Sequence, residues 1–235
     1  MNLGLSQEHP CSYLQQERSR SLMVMDEELL SPQVYDALLA HGFRRSGEYV
    51  YRPWCDDCRQ CHAVRVPTRR FHPSRSQRRC GKANQGLEVN WRPGELTEEQ
   101  YALYLSYQDC RHAGSSMAGS SFAETEAFLL AGWGDVRFLE IRLNKELVAV
   151  AVTDFQPRSL SAVYSFFRPD MGKRSLGNYA VLQQIAQARH LGKDWLYLGY
   201  WIANCRKMAY KSVFRPLEVR RPMQEMQDEK WIERC

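Results

Sequence analysis

Apolar and polar positions alternate with one rhythm before residue 90 and with another after it. Residues 33–41 read as a short helix, with Ser31 as N-cap, Pro32 at the first helical position and Gly42 as the stop. Tyr49–Tyr51 and Ala63–Val66 read as short strands on either side of a cysteine-bearing loop. Pro93-Gly94 marks a turn, and Thr97 with Gln100 forms a capping box heading a helix to about Arg111. Gly114 to Ser121 is a glycine- and serine-rich loop, and a second helix runs from there to about Leu130.

From Val136 the pattern becomes that of a sheet. Val136–Leu143, a turn at Asn144-Lys145 and Leu147–Phe155 predict a hairpin, and Leu160–Phe167 a third strand. Ser175 stands where an N-cap belongs. Leu176, Tyr179, Ala180, Leu182, Ile185 and Ala186 give the following helix, through about His190, one buried face. Gly192 stops it, and Trp195–Leu198 is a further strand. Hairpin, strand, helix and strand in this order predict an α+β chain. Its residues 91–235 would form an acetyltransferase-like (GNAT) domain, behind a smaller Cys- and Arg-rich domain over residues 1–90.

The chain has 235 residues, 44% of them hydrophobic and 25% charged, enough for a buried core of ordinary composition. Its longest apolar run, Leu147–Val152, is far short of the roughly 20 residues that a membrane span needs. With no apolar stretch at the N-terminus, the expectation is a reduced, cytoplasmic protein that does not enter a membrane.

Charge changes the picture more than composition does. The formal net charge is only +5. Yet Arg59, Arg65, Arg69, Arg70, Arg75, Arg78, Arg79 and Lys82 follow one another between Cys58 and Leu87 without one acidic residue, so the rest of the chain is net acidic. A segregated arginine-rich stretch is the footprint of a polyanion partner, tRNA included, against the alternative of a solvated basic loop. Ser74 and Ser76 stand beside Arg75, Arg78 and Arg79, where hydroxyls can bond phosphate oxygens.

Cys55, Cys58 and Cys61 are spaced as metal ligands. Three thiolates need a fourth ligand, from Cys11, Cys80, His62 or His72, to close a zinc site or hold an iron–sulfur cluster. The alternative is a set of buried free thiols. Near the other end, Tyr197, Tyr200, Tyr210, Lys207 and Lys211 cluster as aromatics with cations do where a nucleotide stacks, although each aromatic taken singly is as readily core. A coenzyme A cradle would show a glycine pair that Arg168–Gly177 lacks, which argues against a small-molecule acetyltransferase. Backbone amides from Ser175 onward can still hold a phosphate.

Five blocks in this order resemble one family: Cys11-Ser-Tyr13-Leu14, Tyr51-Arg-Pro53 through Cys61, Ser74 through Arg79, Ser175-Leu-Gly177, and Tyr197 through Lys211. The resemblance is to the aminoacyl-tRNA–protein transferases, most closely the short bacterial branch of aspartate/glutamate leucyltransferases, and it covers nearly the whole chain. It implies transfer of leucine from leucyl-tRNA to proteins with N-terminal Asp or Glu, which marks them for degradation. It also implies an acetyltransferase-like C-terminal half and no cofactor required for the chemistry. The longer eukaryotic arginyltransferases carry two cysteine pairs, where Leu14 and Gln60 stand here. The metal set expected is therefore Cys11, Cys55, Cys58 and Cys61.

For catalysis the candidates are Asp154, at the end of the central strand and suited to orient the attacking amine, with Tyr197, Tyr200 and Lys207 for the terminal adenosine and the oxyanion. Arg75, Arg78, Arg79, Tyr13, Ser175, Tyr210 and Lys211 are the candidates for binding tRNA or the acceptor. An arginyl donor and a non-catalytic, metal-stapled RNA-binding module stand as alternatives.

Overall fold

In the computed structural model, which describes residues 1–111, 119–222 and 230–234, two sheets share the chain. The first is built from β1 (Leu3–Leu5), β4 (Ser21–Val24), β5 (Arg44–Ser46) and β6 (Tyr49–Pro53), in the order β1-β4-β6-β5. A two-residue pairing of β2 (His9–Pro10) with β3 (Arg18–Ser19) closes the loop between β1 and β4. Helix α1 (Pro32–Ala40) covers this sheet, and Ser31 caps it as the sequence predicts, its Oγ accepting from the Val34 N–H. Tyr35 and Leu39 of α1 pack with Val24, Leu30, Phe43 and Val50.

The second sheet has eight strands. Its parts in chain order are β7 (His62–Pro67), α2 (Arg75–Ala83), β8 (Glu88–Pro93), α3 (Glu98–Arg111), α4 (Phe122–Leu129), β9 (Val136–Leu143), β10 (Glu146–Phe155), β11 (Ser159–Phe167), α5 (Leu176–His190), β12 (Trp195–Trp201), α6 (Arg206–Ala209), β13 (Leu217–Arg220) and β14 (Ile232–Arg234). Across the sheet they run β14-β13-β7-β12-β11-β10-β9-β8. Asn144 and Lys145 both take positive φ, which turns β9 tightly into β10. The uninterrupted apolar run of β10 has a simple cause: both of its faces are covered. Val150 and Val152 pack with Leu103 and Tyr104 of α3, whereas Ala149 and Ala151 pack with Leu176, Tyr179 and Ala180 of α5. Among the described residues no helix is long and apolar enough to cross a membrane.

Three expectations change. First, β7 lies between β12 and β13, in the middle of the large sheet, so the sheet runs across the boundary expected near residue 90. Secondly, the basic segment is helical. Ser74 and Gln77 form a capping box at the head of α2, and Gln77 also donates to the Val213 carbonyl, so these two polar side chains are committed to structure. Thirdly, Ser175 occupies the N-cap position of α5 without capping it. Its backbone is left-handed, at φ 52° and ψ 47°, and its side chain accepts nothing from the helix. A 3-10 turn over Pro169–Arg174 delivers the chain into that conformation, and Asn84 of the α2 C-terminus holds the turn by donating to the Arg174 carbonyl at 2.8 Å. Most of the loop expected at 114–121 lies outside the described residues.

One ion pair joins the two sheets. Arg45 on β5 meets Asp154 on β10 in a bidentate arrangement, Nε to Oδ2 at 2.8 Å and Nη2 to Oδ1 at 2.5 Å. Arg45 is 1% exposed and Asp154 also 1%. Two of the other guanidinium hydrogens go to the carbonyls of Leu129, at the end of α4, and Gly47. Removing one partner strands the other's charge in the interior, so Arg45→Met and Asp154→Leu should each cost about 3–5 kcal/mol. The double variant should be less destabilised than the two singles added together, a coupling that urea unfolding of all four proteins measures.

Candidate active site

Strands β11 and β12 run parallel but pair only over Ser159–Ser161 and Trp195–Tyr197. Beyond these residues they part, and the narrow gap between Ala162, Val163 and Gly199 is lined from the small sheet by Phe43, Arg44 and Arg45. Gly199 sits at a register shift between β12 and β7, at φ +72, a conformation that glycine adopts without strain. Two basic groups stand beside its Cα: a Cβ there would be in van der Waals contact with Nη1 of Arg44 at 3.5 Å and with Nζ of Lys211 at 3.8 Å.

Next to this gap, and sharing Tyr200 with it, is a cavity of about 150 Å³. Tyr13, Leu14, Tyr51, Tyr200, His9 and the four cysteines Cys11, Cys55, Cys58 and Cys61 line it. The fold thus brings to one wall the thiols that are separated in sequence. It does not assemble them as ligands: among the described residues no three His, Cys, Asp or Glu side chains stand together as a metal site would require. Burial pushes the Cys61 thiol up to about 12, with the other three cysteines adding to the shift, so this sulfur is held as a thiol. In this arrangement the four do not fit a tetrahedral metal centre.

Two of the four catalytic candidates are structural. Asp154 is the buried partner of Arg45, with both carboxylate oxygens engaged, so it is not free to orient an amine. Burial raises its affinity for a proton and the guanidinium opposes this. Tyr197 packs in the core of the small sheet at 4% exposure, its hydroxyl accepting from Arg65 Nη1, and no nucleotide can stack on it. Tyr200 is also buried, and its hydroxyl donates to the Gly42 carbonyl at 2.9 Å, but its ring forms part of the cavity wall. Lys207 and Tyr210 are exposed, on α6 and directly after it. Lys211 is buried, and its Nζ donates to the Tyr200 carbonyl at 2.5 Å. Desolvation, reinforced by Arg44, brings the Lys211 ammonium down to about 7.

The basic stretch divides in two. Arg65 is clamped between Trp195 and Trp231, 4.1 and 4.2 Å from their ring centres, and bonds Glu218; Arg70 bonds Glu218 and Glu233; Arg59 donates to backbone carbonyls of its own loop. These three serve the fold. Arg75, Arg78, Arg79 and Lys82 are exposed on α2, and none of them lines the cavity. Arg44 is the functional candidate that sequence reasoning missed. Arg44-Arg45 is a doublet in one short strand, and nothing local separates the member that builds the fold from the member at the gap.

Comparison with known proteins agrees with this architecture. The family described as arginine-tRNA-protein transferase matches in two parts, its N terminus over residues 9–79 and its C terminus over residues 99–221. A relative named aspartate/glutamate leucyltransferase from Alkalilimnicola ehrlichii is 46% identical over 90% of this chain and 89% of its own. One of the same name from Halorhodospira halophila is 48% identical over 90% of each. Among solved structures, FemX superposes with a TM-score of 0.50 at 12% identity, over 74% of this chain and 61% of that chain, a likeness of fold in line with the acetyltransferase-like C-terminal half. The chain belongs to the arginine-tRNA-protein transferase family and, within it, to the aspartate/glutamate leucyltransferases.

Proposed function

We propose that the chain, in the cytoplasm, transfers leucine from leucyl-tRNA to the α-amine of proteins that begin with Asp or Glu, marking them for degradation. The near-full-length match to relatives of that name, at 46% and 48% identity, carries the reading. The parted strands and the exposed cationic face of α2 support it.

The reaction is aminolysis of an ester. The α-amine nitrogen bonds to the leucyl carbonyl carbon, the ester C–O bond breaks, and the terminal hydroxyl of the tRNA leaves with the proton the amine gives up. The donor is already activated, and an α-amine with a pKa of about 7.7–8.0 is partly neutral near pH 7. Holding the two reactants together and stabilising the oxyanion therefore supply the rate. Arg75, Arg78 and Arg79 contact tRNA phosphates, and the exposed Lys207 and Tyr210, with the amides at the head of α5 from Ser175 onward, take the acceptor end. Leucine calls only for an apolar slot, whereas an arginyl donor would need a carboxylate. Asp154 cannot serve as that carboxylate because Arg45 already occupies it.

Peptides beginning with Asp, Glu, Asn or Lys, offered with leucyl-tRNA and separately with arginyl-tRNA, test the reading by mass spectrometry. One leucyl residue should be added to the Asp- and Glu-start peptides and none to the Lys-start peptide; a preference for arginyl-tRNA would overturn the donor assignment. For the tRNA surface, the triple variant Arg75→Ala/Arg78→Ala/Arg79→Ala should flatten the log–log salt dependence of tRNA binding by about two to three units. An unchanged slope would take α2 out of the interface.

A further inference from the structure

Among the described residues, no oxygen accepts from the Arg44 guanidinium and no carboxylate pairs with it. Its neighbours are the rings of Tyr51 and Tyr200, 5.9 and 5.8 Å from their centres, with Tyr13 close enough to act on it electrostatically. Lys211 brings a second amino group to the same open face of Gly199. A half-buried guanidinium with no anion, walled by tyrosines and beside a Lys211 amine already bonded to the Tyr200 carbonyl, makes a site with an unmet need for negative charge.

We propose that Arg44 is the specificity residue for the acceptor, receiving the side-chain carboxylate of its first residue between Tyr51 and Tyr200, whose rings flank its guanidinium and line the neighbouring cavity. The inference rests on the transfer reaction proposed above, and the chemistry of that reaction narrows the occupant. The donor's own carboxyl is esterified and its amine is cationic, so the donor brings no carboxylate. The phosphates of the tRNA are bulky and hydrated, and α2 offers them an exposed cationic face. An N-terminal Asp or Glu brings a free carboxylate close to the amine that is to be acylated. The planar fork of Arg44 suits a carboxylate of either length, whereas an amide would turn N–H groups toward the guanidinium. The other arginines lining the neighbouring cavity are engaged: Arg18 with Glu8, and Arg59 with the carbonyls of Cys58 and Asp56.

The test measures kcat/KM with leucyl-tRNA for peptides beginning with Asp, Glu, Asn and Gln, in the natural protein and in Arg44→Ala and Arg44→Lys. The natural protein should favour Asp over Asn by about 30-fold or more, the discrimination expected of one buried charge-assisted pair. In Arg44→Ala the ratio should fall to within about threefold of unity, chiefly through KM for the Asp-start peptide. Arg44→Lys keeps the charge without the fork and should fall between. Added guanidinium should restore the Asp-start rate of Arg44→Ala and leave the Asn-start rate alone, a readout that a purely structural role for Arg44 would not move. If Arg44→Ala does not fold, the ratio in Arg44→Lys decides. An undiminished Asp-over-Asn ratio in a folded variant overturns the assignment of Arg44 while the transfer reading stands. Failure of the natural protein to transfer leucine to any of the peptides overturns that reading and this inference with it.

Discussion

The bidentate pair of Arg45 and Asp154 sets the geometry on which the candidate site depends. A short strand of the small sheet is held against β10, an interior strand of the large one, and the same guanidinium reaches the end of α4. Both charges are out of water, so the arrangement tolerates little displacement: moving β5 would leave a carboxylate alone in the core. Because Arg44 is the adjacent residue, fixing Arg45 also fixes Arg44, and the strand's alternation sends the two side chains to different partners. A pair that does no chemistry thus positions the residue proposed to read the substrate.

The gap itself follows from how β12 divides its partners. Over its first three residues it pairs with β11, and along its whole length with β7, a strand contributed from far earlier in the chain. Strand β7 carries Arg65, which stacks between Trp195 of β12 and Trp231, the residue before the edge strand β14. Pairing with β7 along the opposite edge keeps β12 in the sheet where β11 parts from it. The family's two sequence blocks, residues 9–79 and 99–221, therefore meet within one sheet.

The cysteine wall shows how far spacing alone reaches. A C-x-x-C-x-x-C run and the distant Cys11 do come to one cavity, as their spacing and the resemblance suggest, but as neighbouring thiols rather than a tetrahedral set. Spacing constrains which sulfurs can approach one another; the loop conformations decide whether they converge on a point.

What the sequence determined by itself is what depends on neighbours along the chain. Ser31 with Pro32, Thr97 with Gln100 and the Asn144-Lys145 turn specify helix starts and a hairpin through contacts a few residues apart, and the structure forms them there. Ser175 is the local signal that failed, because the preceding turn is fastened to α2 by Asn84 and forces a left-handed backbone on it. Roles that depend on distant partners were beyond local reading. Asp154 and Tyr197 have the right chemistry for catalysis, but their partners Arg45 and Arg65, more than a hundred residues away, bind them into the structure. The eight cations between Cys58 and Leu87 look alike in sequence, yet Glu218 and Trp231 claim Arg65 while those of α2 stay exposed. The same holds for Arg44 and Arg45, identical neighbours of which one is neutralised and the other left without an anion. Which of two equal charges finds a partner is a matter of long-range packing, and only the tertiary structure decided it.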